Sequence, residues 1–351
     1  MEEQKNIQEF LELVSQPGFC VKDGRILHVN QAARALMLTP GQEMESLLQT
    51  GTEEYRQFEN GQLYLSLNLG TISRNASVLR MVDMDLFLLE AASDSEEFRS
   101  MGLVSMELRS PLMSVISSAQ QLLNQLEPEN TEAAKLNKGL AQLLRLTSNL
   151  SDVERYRESC HMETRDICSV LEELLEKSQV LTAGSGIRLS WELPREAIPC
   201  LIDSEQIERA VWNLISNAVK FLSREGAVHV KLTRRGQRLY LTVADSGSGI
   251  AEQIRSTVFQ RYLRQPGIED SRFGLGLGMV IVRTAAANHG GTVLIEQNEG
   301  SGTRVTMTLA LRQTTDNKLH SPILRPDYSS GWDHGLVELS DCLPAELYKQ
   351  F

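Results

Sequence analysis

The hydrophobic positions of this chain change period several times, and each change marks a different unit. Near the start, "FCVKDGRILHV" sets two short apolar runs around Asp23-Gly24, a spacing that predicts a hairpin. Asn30 can cap a following helix in which Ala33, Leu36 and Met37 would form an apolar stripe. "GQLYLSLNL" alternates strictly, with Leu63, Leu65, Leu67 and Leu69 on one face, and "SVLRMVDMDLFLLE" supplies two more strands. Residues 1–91 thus read as one small α+β unit. From residue 92 the period becomes helical. It runs through "SDSEEFRSMGLVSMELRSPLMSVISSAQQLLNQL", breaks at "EPENTE" and resumes in "AAKLNKGLAQLLRLTSNLSDVERY". Residues 92–162 are therefore expected to be an antiparallel pair of long amphipathic helices. Such a hairpin cannot bury both of its apolar stripes alone, and a second copy would complete a four-helix bundle.

The period changes again over 163–312. Helices are expected at 170–181, 203–221 and 277–289, and strands at 187–191, in "AVHVKLTRRG" and in "RLYLTVAD". "GTVLIEQNEGSGTRVTMTLAL" closes the unit as a hairpin turned at 300–302. This is a helix layer on a mixed sheet, an α/β sandwich. Residues 313–351 form a tail with prolines and no clear period. The fold class is multidomain α+β.

Composition narrows the function classes. The net charge of -11 repels phosphate backbones and argues against a nucleic-acid grip. Five scattered cysteines form no C-x-x-C pair, which argues against a zinc site or a disulfide scaffold and fits a reducing compartment. No apolar run approaches the roughly 20 residues that span a bilayer. The polar start "MEEQKNIQEF" is not a signal peptide. A soluble, cytoplasmic protein without a transmembrane segment is expected.

Three clusters in 163–312 carry chemistry. In "ERAVWNLISNAVKF", Asn213, Asn217 and Lys220 share one helix face, while Val211, Leu214, Ile215, Ala218 and Val219 take the other. Amide oxygens suit magnesium and an ammonium suits phosphate, although a solvated polar face would read the same way. In "VADSGSGI", Asp245 ends an apolar strand, and Gly247 and Gly249 let the chain turn against a flat ligand. A carboxylate placed there can accept from an exocyclic amine such as adenine's; a tight strand-ending turn is the bland alternative. In "RFGLGLGMVIVR", Gly274, Gly276 and Gly278 precede a helix, where free backbone N–H groups favour phosphate.

Taken in order, these clusters resemble the ATP-binding domain of sensor histidine kinases, the Bergerat fold shared with gyrase-type ATPases. "VFQRYLR" falls where that family has F-x-R-F-x-R, with Phe259, Arg261 and Arg264 in the matching places. The resemblance implies ATP and Mg2+ as cofactors. It implies Asn217 as the metal ligand, Asp245 as the adenine reader, and Lys220 as a phosphate contact. Asn213, Gly247, Gly249, Gly274, Gly276 and Gly278 would line the pocket, and Asn213, Arg261 and Arg264 would serve the transfer. His289 is read as structural. Ser246 and Leu275 depart from the family's Asn and Thr and put affinity in doubt. Gyrase-like ATPases carry a Glu where this chain has Asn213, which cannot take a proton. Phosphoryl transfer or binding is expected rather than hydrolysis.

The same family carries H-[ED]-L-R-[ST]-P on the first helix of its dimerising hairpin. This chain reads "MELRSP", matching everywhere except at the acceptor, which is Met106. Glu107 stands where the family's acidic neighbour holds or accepts the imidazole proton. No histidine lies between 92 and 160 to replace the acceptor. Residues 1–91 resemble a PAS sensor domain by pattern. The expectation is a sensor-histidine-kinase homologue that binds ATP but does not autophosphorylate at the usual place. It would act as a homodimer or as a mixed dimer with another kinase, and a response-regulator receiver domain is a possible partner. The alternatives are a non-enzymatic scaffold, a Bergerat-fold ATPase, and a phosphatase in which Ser110 would position water.

Overall fold

The computed structural model describes residues 2–70, 72–81, 83–90, 92–123, 125, 130–222, 225–249, 277–312 and 332–349. The polar start folds as helix α1 (Glu2–Leu13), which the pattern did not announce. It places Ile7 and Leu11 on Cys20, Leu86 and Leu88, on one side of a small sheet. β1 (Gly18–Lys22) and β2 (Arg25–Val29) form the expected hairpin, turned on Asp23 and Gly24 with φ of 51° and 73°. Two left-handed residues in succession are what a two-residue hairpin of this twist requires. Asn30 caps α2 (Gln31–Ala35), its Oδ1 accepting from the Ala33 N–H at 2.9 Å. The stripe expected there is shorter than the spacing suggested. The helix ends before Leu36, and Met37 turns to φ 62° and stands 81% exposed.

After α3 (Thr52–Gln57) come β3 (Gln62–Asn68), β4 (Ser73–Arg80) and β5 (Asp85–Leu89), giving the order β2-β1-β5-β4-β3. Leu63, Leu65 and Leu67 are buried together, as their alternation requires, against Phe19, Val78 and Phe87.

The helical hairpin follows as α4 (Ala92–Leu123) and α5 (Thr131–Glu158), with Asn130 capping α5. Gly102 lies against the Glu154 side chain, and the Ser105 hydroxyl donates to the Thr147 carbonyl at 2.6 Å, so the helices run antiparallel at close approach. α4 leaves an apolar stripe uncovered: Leu103, Val104, Met106, Leu108, Val115 and Leu122 are each at least half exposed.

The remaining chain builds the α/β sandwich. Its layer of helices is α6 (Ile167–Thr182), α7 (Ser204–Lys220) and α8 (Leu277–Asn288). They cover β7 (Ile187–Glu192), β9 (Gly226–Arg235), β10 (Arg238–Asp245), β11 (Val293–Gln297) and β12 (Thr303–Ala310). β7 pairs with β9 in parallel and the other pairs are antiparallel, which makes the sheet mixed. β6 (Glu163–Asp166) and β8 (Pro199–Ile202) form a separate two-stranded sheet. At four residues each they are too short for a period to reveal them.

Two tertiary features had no sequence signal. First, β3 pairs with β11, joining both sheets into one of ten strands, ordered β2-β1-β5-β4-β3-β11-β12-β10-β9-β7. Gly61, at φ 92°, sits where a Cβ would strike the Ile295 carbonyl. Beside it Glu54 pairs with Arg238 at 3.1 Å, and Arg283 lies over the Tyr64 ring. Second, the tail is not structureless. α9 (His334–Glu338) and a 3₁₀ turn at Ala345–Tyr348 bury Trp332, Val337, Leu339, Leu343 and Tyr348 in the main core. Prolines and short elements hide that order from a periodic reading.

Candidate nucleotide site

α7 is held by its two ends. Asp203 caps it by accepting from the Gln206 N–H at 3.1 Å, and Asp203's own N–H donates to His289 Nε2 at 2.9 Å. His289 therefore carries its proton on Nδ1, which donates to the Ala285 carbonyl at 2.6 Å. Burial pulls this imidazole below its ordinary value, and it serves as a structural tie between α7 and α8.

At the far end, Gly247 lies so close to the Phe221 carbonyl that a Cβ would approach it to 2.5 Å. Only glycine lets the strand-ending loop rest on the C-terminus of α7. Asp245 is thereby placed beside the C-terminal end of α7, 6% exposed. Its Oδ1 accepts from the Gly247 N–H at 2.8 Å and from the Thr303 N–H at 3.1 Å. Burial raises its carboxyl above the ordinary carboxylate value, and the two backbone donors oppose that rise. Both bonds fall on one oxygen, so the other faces no donor among the described residues. That arrangement suits a ligand amine. Gly249, at φ 71°, packs on Gly302 and closes the turn.

Moving away from Asp245 along α7, Lys220 and Asn217 stay partly exposed, and Asn213 one turn further is fully buried. Gly278, at the start of α8, meets Asn213, since a Cβ there would stand 2.5 Å from Asn213 Oδ1. The structure thus brings together Asn213, Asn217, Lys220, Asp245, Gly247, Gly249 and Gly278 along one helix and its flanking turns. Arg261, Arg264, Gly274 and Gly276 lie outside the described residues, as does Phe259. Asn213 is more enclosed than a shared helix face suggested. Its Nδ2 donates to the Arg209 carbonyl at 2.8 Å, and its Oδ1 accepts from Arg145 of α5 at 3.4 Å.

The enclosure comes from residues whose role the sequence did not announce. Arg209, one turn before Asn213, bonds Asp152 at 2.8 Å and Asn149 at 2.7 Å, both on α5. Arg209 also pairs with Glu338 of α9, and Arg145 pairs with Glu338 at 3.6 Å and with Asp341 at 2.7 Å. An arginine on the polar stripe of a helix was the available signal, but its partners are distant in sequence. On α4, Met106 is 65% exposed on the hairpin surface, flanked by exposed Glu107 and buried Ser105.

Residues 202–313 match the family model of histidine kinase-, DNA gyrase B- and HSP90-like ATPases. Over this segment the chain is similar to the ATPase domain that the model describes. Among curated relatives, the sensor-like histidine kinase SenX3 of Mycobacterium bovis is 31% identical over 219 residues, covering 59% of this chain and 52% of its own. The adaptive-response sensory kinase SasA of Parasynechococcus marenigrum is 26% identical over 221 residues, covering 61% of this chain and 57% of its own. The chain spans about half the length of the curated relatives it matches. Among solved structures, full-length ShkA in complex with AMPPNP aligns at 24% identity with TM-score 0.48, covering 62% of this chain and 47% of that one. ThkA in complex with the response regulator protein TrrA aligns at 15% identity with TM-score 0.43, covering 87% and 98%. The similarity to both sensory kinases extends over roughly three fifths of this chain. No helix among the described residues is long and apolar enough to cross a membrane.

Proposed function

We propose that the chain is a sensor-histidine-kinase homologue that binds Mg-ATP and lacks its own phosphoacceptor. One observation carries the reading. Asp245, Asn217, Asn213 and Gly278 lie in order along α7 and its flanking turns, with a buried carboxylate at one end and partly exposed amide and ammonium groups beyond it. Asp245 would accept from the adenine amine, Asn217 would hold the magnesium ion, and Lys220 would contact phosphate. A magnesium ion bound there would supply charge neutralisation on the phosphates. Arg261 and Arg264 would serve the transferring group. Met106 stands where an acceptor imidazole would receive it, with Glu107 beside it. A thioether has no proton to exchange and makes no stable phosphoryl bond, so autophosphorylation at this position is not expected.

The half-exposed stripe on α4 supports dimerisation through the hairpin, with a second copy or with a related kinase that does carry a histidine. The strand order β2-β1-β5-β4-β3 and the capped α2 support a PAS-like sensor at 1–91. A response-regulator receiver would dock on the hairpin. The exposed Met106 also favours a second reading, a non-enzymatic scaffold in which the hairpin docks partners and nucleotide binding only fixes the fold.

The test is labelling with γ-labelled ATP and magnesium, for the native protein and for Met106→His. Label on the variant alone supports the proposal. Label on the native protein refutes the missing-acceptor reading. No label on either, with no nucleotide binding by calorimetry, favours the scaffold.

A further inference from the structure

We propose that the cavity where the N-terminal unit meets the end of α8 is a second ligand site, and that it takes a small, multiply charged oxyanion, a di- or tricarboxylate or a phosphate.

The cavity holds about 430 Å³, within the range of small-molecule sites, and lies at a joint between units, where such sites are common. One wall is Ser66 of β3 with Arg74 and Asn75 of β4. The other is the end of α8 at Asn288, followed by Gly290 and Arg312. Arg74 and Arg312 are its cations, and neither side chain makes a hydrogen bond or an ion pair with a described residue. By contrast Arg80, Arg145 and Arg209 each meet a carboxylate. Arg74 Nε is also shut off from water without an acceptor, as is Thr50 Oγ1 on the same cavity. Buried polar atoms without partners are rare, and two on one wall mark it as incomplete. With Nε enclosed, the terminal nitrogens of Arg74 are the donors left for an occupant.

Among the described residues the lining holds one carboxylate, Glu90, which accepts from Asn75 Nδ2 at 3.3 Å. Ser66 fixes that amide by donating to Asn75 Oδ1 at 2.9 Å. Two guanidiniums against one carboxylate leave a local surplus of positive charge, in a chain whose net charge is -11. Guanidinium forks match carboxylate and phosphate oxygens two at a time, which selects an oxyanion over a neutral or cationic ligand. An anion held by both arginines ties the N-terminal unit to α8. At that end of α8, Asn288 Nδ2 donates to the Tyr156 carbonyl of α5 at 2.8 Å and to Gln206 Oε1 of α7 at 2.9 Å. Occupancy is therefore an input that reaches the N-terminal unit, the hairpin and the ATP-binding unit together. The site stands on these residues and does not depend on the nucleotide reading.

The experiment titrates the full chain with citrate, succinate and inorganic phosphate, each alone, by calorimetry. At least one is expected to bind, and which one does so separates a carboxylate site from a phosphate site. Arg74→Gln and Arg312→Gln should each weaken that binding about tenfold or more, while Arg25→Gln, at a surface arginine of β2, leaves it unchanged. The bound anion should slow hydrogen exchange at 62–64 and 293–295, where β3 joins β11. Arg312 is exposed, so its variant decides the matter if Arg74→Gln disturbs folding by circular dichroism. No binding of any of the three anions by the folded native chain overturns the proposal. So does binding that both arginine variants retain, or binding that an ATP analogue displaces.

Discussion

Glu338 and Arg209 form an ion pair in which both side chains are withdrawn from water, at 0% and 1% exposure, although 129 positions separate them. One belongs to a tail with no visible period and the other to the helix that carries the candidate nucleotide groups. Their pairing makes the tail part of the core and couples it to the hairpin through Arg145.

Removing one partner of such a pair strands a buried charge. Glu338→Ala is expected to lower stability by about 3–5 kcal/mol, read from urea denaturation. Asp341, which bonds the same Arg145 but is 39% exposed, should matter far less, with Asp341→Asn costing about 0.5–1 kcal/mol. Equal costs at the two positions would show that burial of the pair is not what matters.

Asp245 is held in an environment that disfavours its charge, so its carboxyl value lies above the ordinary 3.8. Its folded value exceeds its unfolded value, and its contribution to stability therefore falls as pH rises through that window. Asp245→Asn keeps an oxygen for the Gly247 and Thr303 N–H groups and removes the charge. The nucleotide-free variant should be as stable as the native protein or more so at pH 7. Its affinity for ATP should fall by about 1.5–3 kcal/mol, roughly 10- to 150-fold, by calorimetry. An unchanged affinity would remove Asp245 from the adenine contact.

His289 behaves in the opposite sense. Burial keeps it neutral, with its value below the ordinary 6.5. Its stabilising contribution is complete above that pH and is lost as pH falls toward the lowered folded value. Thermal melting between pH 7.5 and 5 should therefore show a loss of stability on acidification that His289→Gln flattens. The variant's melting temperature would be lower at pH 7 and closer to the native one at pH 5. Parallel pH profiles would count against the tie between α7 and α8.

Gly61 lets β3 and β11 meet. Gly61→Ala forces a side chain into the left-handed region and against the Ile295 carbonyl, at a cost of about 1–3 kcal/mol. Hydrogen exchange should quicken at 62–64 and 293–295, where the two sheets join, while the β9–β10 amides stay protected. Uniform quickening across the whole sheet would mean the variant loosens the domain rather than the seam.

Some of this was visible in the chain and some was not. The Asp23-Gly24 turn, the Asn30 cap, the alternating leucines of β3 and the polar stripe of α7 are short-range patterns, and each folds as its spacing requires. Met37 departs because a single left-handed residue ends α2 early, which no period encodes. β6 and β8 escaped because four residues are too few to show an alternation. Asn213 shares a helix face with Asn217 and Lys220, and what encloses it is invisible along the chain because the arginines and acids come from α5, α7 and α9.

By itself the sequence determined the longer elements, their amphipathic faces, the order of the three candidate site clusters and the thioether at Met106. All of these depend on residues within a few positions of one another, where backbone geometry fixes which side chains share a face. Only the tertiary structure decided that the two sheets fuse at β3 and β11, and that a proline-bearing tail completes the core. It also decided that Glu338 joins Arg145 to Arg209. Those outcomes depend on which buried charges and carbonyls find partners, and a buried charge is satisfied by whatever the fold brings to it, at any distance along the chain.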